Sequence, residues 1–497
     1  MNESETPPST NFAGQLVSRL GKLSYLIDAA TGETIVASDL PRLISGFGAS
    51  LLFAGLKPGD AIVIGCVLSP ASSIAYLGAM YAGLVPVPVE ESKLPLAGNV
   101  LLNRVGAKAL WTEKPCTFDR KCPEGFEFLF IHGHPSEMRA DLIPPAPRAE
   151  NDLAALVATS GSSDVPRFVM VSHGNLIANT EAIIRSQHLE DDERAMLILP
   201  VSYCFGASVL HTHLYRGGGV VFDRRFMFPD KVLHAVNRYE CTTFAGVPTV
   251  YNILLRRSNI RSIAMPGLRR FLQAGGPLAP QHVQEMRSIV PTAKFYVMYG
   301  QTEATSRISC LDPESLEQKL GSVGQKLDNL TIQILDAKGQ ALPAGQTGEI
   351  AVRGPSVTLG YLNEPDASRH VFKDGWLHTG DLGRLDEDGY IWIEGRKSAF
   401  LKVRGVRVNF AEVEARVAAV PGVYECAAAA VAHPEAGEAL VLYIVPDKMA
   451  DRVADRVRRS LPVHWTCDSI RIVSELPKTS SGKVSREALA REGNRAS

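Results

Sequence analysis

The chain has 497 residues, 45% hydrophobic and 21% charged, with 52 basic and 53 acidic side chains and a formal net charge of -1. Such a length exceeds what one hydrophobic core normally supports, so at least two domains are expected. The balanced charge offers no attraction to nucleic acid or to an anionic membrane, which leaves a small molecule as the expected partner.

In chain order, the polar N-terminus shows no basic segment running into an apolar one, so no signal peptide is expected. The most apolar stretch, Ala61 to Val89, is broken by Ser69, Pro70, Ser72, Ser73, Pro86 and Pro88. A buried strand followed by a core helix carrying Ile74, Leu77, Met80 and Tyr81 fits it better than a membrane span. To about residue 150, short apolar runs alternate with helical patterns, the texture of α/β layers with parallel strands. Pro144 to Pro147 reads as a short linker. From Leu153 the runs AALVATSG, AMLILPVSY, GGGVVFD, TTFAGVPT, FLQAGG and KFYVMYG are expected strands ending in Gly-rich turns. Ligands of open α/β sheets gather at such carboxyl ends. After Gly321 short β segments follow (LTIQILDAKGQ, GEIAVRG, GYIWIEG). From about Arg396 a small further α+β pattern appears, with the helix AEVEARVAAV and the strand ALVLYIVP. The expected fold class is α/β, a large N-terminal domain of layered α/β subdomains plus a β-rich segment over 1–395, then a small α+β domain over 396–497. The eight cysteines lack metal-site or dithiol spacing and read as reduced thiols of a cytoplasmic protein.

Four motifs could carry chemistry. The first is Thr159-Ser160-Gly161-Ser162-Ser163-Asp164-Val165-Pro166-Arg167, where hydroxyls, backbone N–H groups and one guanidinium can converge on phosphate oxygens. A surface turn is the bland alternative. The second is Tyr299-Gly300-Gln301-Thr302-Glu303: an aromatic to lie against a base, a hydroxyl for a phosphate and a carboxylate for Mg²⁺, or else a helix start capped by Thr302. The third joins Asp381, in Trp376-Leu377-His378-Thr379-Gly380-Asp381, to Gly395-Arg396, an acid and a base suited to ribose and phosphate oxygens, or else a β-turn. The fourth is Pro477-Lys478-Thr479-Ser480-Ser481-Gly482-Lys483, a lysine on a Ser/Gly loop that suits a point charge entering and leaving a phosphate site, or else a solvent-exposed tail lysine. Neither Gly482-Lys483 nor Gly46-Phe47-Gly48 has the spacing of a Walker loop or a dinucleotide fingerprint. His211-Thr212-His213 and His132-Gly133-His134 lack a third ligand at fitting spacing for a metal.

In this order the four motifs closely resemble those of the adenylate-forming superfamily, which includes acyl- and aryl-CoA ligases, peptide-synthetase adenylation domains, luciferases and stand-alone amide-bond synthetases. The resemblance runs from about Leu153 to Arg486. It implies an ATP- and Mg²⁺-dependent ligase with a mobile C-terminal domain. Thr159, Ser160, Gly161, Ser162, Ser163 and Arg167 would form the phosphate loop. Gly275, Gly276, Pro277 and Tyr299 would flank the adenine, Thr302 would bond the α-phosphate, and Glu303 would hold Mg²⁺. Asp381 would take the ribose hydroxyls with Arg396 assisting, and Lys483 would bridge the reacting anions. Tyr203 matches an aromatic gate of the acyl pocket, which Phe205, Ala245, Gly246 and Val247 would line. Gly395 to Gly405 matches the hinge, with Lys402 and Gly405 facing the site in a second conformation. Ser162, Ser163, Asp164, Arg167 and Ser398 depart from the usual pattern.

The stretches SGSSDVPRFVMVSHGN and LPVSYCFGAS are similar to amide-bond synthetases of the marinacarboline type. Transfer of an aryl or heteroaryl acid to an amine is therefore the first expectation. Transfer to CoA is the alternative, and a catalytically silent binding protein a third reading. A carrier protein is not expected as a partner.

Overall fold

The computed structural model describes residues 10–115, 128–138, 141–159, 167–397, 400–403, 406–433, 437–447, 452–462, 465, 467–478 and 484–495. A nine-stranded sheet among the described residues has a parallel centre, ordered Lys294–Tyr299, Arg270–Gln273, Thr243–Gly246, Arg194–Leu197, Gly219–Phe222 and Tyr25–Asp28. Its outer strands are antiparallel. The central parallel strands are short and largely apolar, as burial on both faces requires. A second, all-parallel sheet holds Ala61–Cys66, Val85–Glu90, Ala109–Thr112 and Leu129–His132.

One core joins helices Leu40–Phe53, Pro70–Tyr81, His173–Gln187 and Cys204–Tyr215 to both sheets. Ser69 caps the second of these by accepting from the Ser72 N–H, and Pro70 occupies its first turn. The helix is buried on every side, as its apolar sequence predicts. Gly48 and Gly78 explain why the Gly46-Phe47-Gly48 segment is no ligand loop. It lies inside the first helix, where a Cβ at Gly48 would stand 2.8 Å from the Gly78 carbonyl oxygen. The two helices touch backbone to backbone there.

Two elements differ from expectation. Leu153–Ala158 pairs antiparallel with Phe168–Ser172 and stays outside the parallel sheet. The connection between them, 159–167, is too short for a parallel crossover. The Pro144 to Pro147 segment is packed as a strap: the Ala146 N–H donates to the Tyr81 carbonyl at 2.9 Å, and Asn11 Nδ2 donates to the Ala146 carbonyl at 3.0 Å.

The β-rich segment is an antiparallel sheet built on Thr331–Leu335, Gly348–Arg353, Trp376–Leu385 and Ile391–Arg396. The last part of the chain is a smaller α+β unit. There Val423–His433, Gly437–Pro446 and Cys467–Ile472 form one sheet, packed by Phe410–Ala418 and Val453–Ser460. Among the described residues no helix is long and apolar enough to cross a membrane. Cys66, Cys204, Cys241, Cys310, Cys426 and Cys467 are free thiols, and Cys116 and Cys122 lie outside the described residues.

Candidate active site

Four neighbouring parallel strands end at one rim, since Ala245 pairs with Leu197, Gly246 with Gln273, and Gln273 with Val297. The segments that leave those ends are therefore side by side: Pro200 to Phe205, Val247, Gly275 to Pro277, and Tyr299 to Glu303. Ala245 and Gly246 are the last buried residues of their strand. Gly275 has φ +88, and a Cβ there would stand 3.0 Å from Val247 Cγ1. Glycine keeps that turn close to its neighbour without strain. Gln273 Nε2 donates to the Gly276 carbonyl at 2.8 Å and fixes the turn.

Asp381 lies within the strand Trp376–Leu385, directly opposite Arg396, so the β-turn reading does not hold. Arg396 Nε is 2.8 Å from Asp381 Oδ1, and the Tyr299 hydroxyl donates to Oδ2 at 2.6 Å. Burial, and then the Asp381 charge, push the Tyr299 phenol well above its ordinary value. It therefore stays protonated and remains the donor. This contact ties the rim of the parallel sheet to the β-rich segment.

Thr302 begins a single 3₁₀ turn, Thr302–Ala304, whose cap position is Gln301, so Thr302 is not a helix cap. Its Oγ1 lies 3.6 Å from Cys204 Sγ, which brings the second motif against the helix that follows Tyr203. The Glu303 carboxylate accepts from the Tyr361 hydroxyl at 2.7 Å. Arg167 stacks 5.5 Å from the Tyr361 ring centre, and its Nε is 3.0 Å from Glu364 Oε2, while Arg104 pairs with the other Glu364 oxygen. The Thr159 N–H donates to the Arg167 carbonyl at 2.8 Å, closing the base of the first motif. Tyr203 accepts a hydrogen bond from Lys93 Nζ at 2.9 Å, and Phe205 is buried beneath the Arg307 guanidinium.

Ser160, Gly161, Ser162, Ser163, Asp164, Ser398, Gly405 and Lys483 lie outside the described residues. Lys402 belongs to the strand Phe400–Val403, of which the backbone is described. His211 and His213 are packed inside the helix Cys204–Tyr215. His211 stacks on Tyr76, and His213 Nδ1 bonds the Val209 carbonyl. Burial lowers them to about 3 and about 4. His134 caps the short helix Pro135–Glu137.

The donor set fits a magnesium nucleotide. Glu303 is a hard oxygen ligand of the kind Mg²⁺ takes. Asp381 is a carboxylate held in place by Arg396 and Tyr299, and the Gly275-Gly276 turn adds no side chain to the rim.

The family model for AMP-binding enzymes matches residues 21–362, and that for the AMP-binding enzyme C-terminal domain matches 412–483. The chain belongs to the AMP-binding enzyme family. This AMP-binding enzyme is 29% identical over 471 residues to a feruloyl-CoA synthase of an Amycolatopsis species, covering 93% of the chain and 94% of that protein. It is 26% identical over 517 residues to a 4-coumarate–CoA ligase of Vanilla planifolia, covering 97% and 93%. Among solved structures, ATP-bound MatB from Rhodopseudomonas palustris superposes with a TM-score of 0.86 at 25% identity, covering 97% of this chain and 99% of that one. The first two of these relatives are named as a CoA synthase and a CoA ligase.

Lys93, Arg307, Tyr361 and Glu364 escaped the sequence reading. Tyr361 had one visible signal, its position after Gly360 in a segment free of strand periodicity. Arg307 had another, as a lone charge between Ser306, Ile308 and Cys310 in an otherwise strand-like run.

Proposed function

We propose that this enzyme is an ATP-dependent ligase that converts an aryl carboxylic acid to its acyl-adenylate, releasing pyrophosphate, and then hands the acyl group to an acceptor with release of AMP. What supports it is the shared rim. Tyr299, Asp381 and Arg396 form one bonded set beside Thr302 and Glu303, and the Tyr203–Phe205 segment touches that set through Cys204. Residues 1–395 would hold the acid and nucleotide, and 396–497 would bring Lys483.

A carboxylate meeting the α-phosphate is anion against anion, so positioning and positive charge do the catalysis. A Mg²⁺ on Glu303 would supply part of that charge when bound. Lys483 and the loop N–H groups over Ser160 to Ser163 would supply the rest. Arg396 holds Asp381 in place for the ribose, while Tyr203 and Phe205 wall the acid pocket with Ala245, Gly246 and Val247.

For the acceptor, the CoA-ligase relatives support the thiol of CoA. The second reading is an amine, giving an amide. It draws on the loop and pocket wording around Asp164 and Tyr203, which resembles amide-bond synthetases. Acid-dependent ATP–pyrophosphate exchange across a panel of aryl acids tests the first step, and silence with every acid overturns it. Product analysis with ATP, acid and amine, with and without CoA, decides the second. Thioester formed only with CoA supports the first acceptor, and amide formed without CoA replaces it.

A further inference from the structure

Arg307 is 2% exposed, and its guanidinium is centred 4.9 Å over the face of Phe205. Its backbone is clamped on both sides by Asn179: the Arg307 N–H donates to Oδ1 at 3.2 Å, and Nδ2 donates to the Arg307 carbonyl at 2.9 Å. Among the described residues no carboxylate pairs with the guanidinium, and Nε has no hydrogen-bond partner. Arg270 makes the contrast. It is nearly as buried, and the fold supplies it with the fully buried Glu193.

Beside Thr305 and Ser306, the residues that precede Arg307, a cavity of about 20 Å³, room for one water, is lined by Cys204, His211 and Asn179 and by apolar side chains such as Val157 and Leu176. Ser306 Oγ and His211 Nε2 are buried there without partners as well. Three unsatisfied polar groups thus border the base of the helix that starts after Tyr203. A buried cation without a counter-charge is unfavourable, and a guanidinium is best compensated by a planar oxygen pair.

We propose that Arg307 reads the far end of the substrate, which is an aryl acid carrying an oxygen acceptor, best a second carboxylate, remote from the carboxyl that is activated. This deepens the reading of Phe205 as a wall of the acid pocket and rests on it. Burial lowers the guanidinium to about 10, which still leaves it charged at neutral pH. Phe205 would stack on the ring of the acid while Arg307 meets its remote oxygen, and Ser306 can add a hydroxyl donor.

The test uses benzoate and 2-naphthoate, each with a remote carboxylate, acetyl or methyl group. Binding to the full-length enzyme is measured by calorimetry, and activation by pyrophosphate exchange. The wild type is expected to prefer the carboxylate over the methyl compound by about 30-fold or more, with acetyl between them. Arg307→Met should erase that order, and Arg307→Lys should keep part of the carboxylate preference while losing that for acetyl. Equal binding of the methyl compound by the wild type, or an order that survives Arg307→Met, overturns the proposal. If Arg307→Met melts early, Arg307→Lys and Arg307→Gln carry the comparison. Arg307-dependent binding without pyrophosphate exchange would uphold the pocket and refute adenylation. Exchange with no preference would do the reverse.

Discussion

Tyr299→Phe separates two roles that one residue combines, keeping the ring and removing the hydroxyl. The bond removed is a 2.6 Å donation to a buried carboxylate. Charge-assisted hydrogen bonds of this kind contribute about 1.5–3 kcal/mol, and about 1.4 kcal/mol is tenfold in an equilibrium. Arg396 still holds the other oxygen, but its side chain is 56% exposed and its pull is screened. Asp381 therefore loses one of the contacts that orient it. The KM for ATP should rise by about tenfold with little change in kcat, read from ATP-dependent pyrophosphate exchange at saturating acid. The melting temperature is followed in parallel. Arg396→Gln alone should cost less than Tyr299→Phe, and the double variant should cost more than the product of the two, because either donor partly covers for the other. An unchanged KM for ATP in Tyr299→Phe would refute the claim that this hydroxyl positions the ribose acceptor.

Lys483→Ala should abolish acid-dependent pyrophosphate exchange while nucleotide binding, followed by thermal shift, stays near wild type; undiminished exchange rejects its role. Gly206→Ala places a Cβ 2.2 Å from the Pro200 carbonyl oxygen, so the turn carrying Tyr203 must move. We expect about 2 kcal/mol of lost stability and a raised KM for the acid, and a crystal structure with an unmoved Tyr203 would contradict this. Burial lowers His173, His211 and His213 to about 4, 3 and 4, below the ordinary 6.5, so the unfolded chain takes up protons first. Stability is then complete above about pH 6.5 and falls toward pH 4, by about 2 kcal/mol per histidine at pH 5. His213→Asn should shallow that slope in denaturant titrations, and an unchanged slope would show that His213 does not carry it.

Much of the architecture was legible in the chain because period and punctuation are local. The strand at Ala61 and its following core helix, the Gly-terminated strands up to Tyr299, and the later β segments each announced themselves within a dozen residues. Placement was less legible. The strand at Leu153 looked like its neighbours, and only the short connection to Phe168 sends it into a hairpin. The Pro144 to Pro147 segment looked like a spacer, because its packing partners, Asn11 and Tyr81, are far away in sequence.

For the site, each motif by itself left a bland reading open, and it was the resemblance of the four motifs in order to adenylate-forming enzymes that pointed to a magnesium nucleotide and an activated acid. What joins the motifs was not readable in the sequence. Tyr299 meets Asp381 across 82 positions and Tyr361 meets Glu303 across 58, contacts that only the folded chain brings about. The unpaired state of Arg307 is likewise a tertiary fact. A sequence displays a charge, but whether that charge is buried, and whether a counter-charge was folded in beside it, depends on which distant segments close around it.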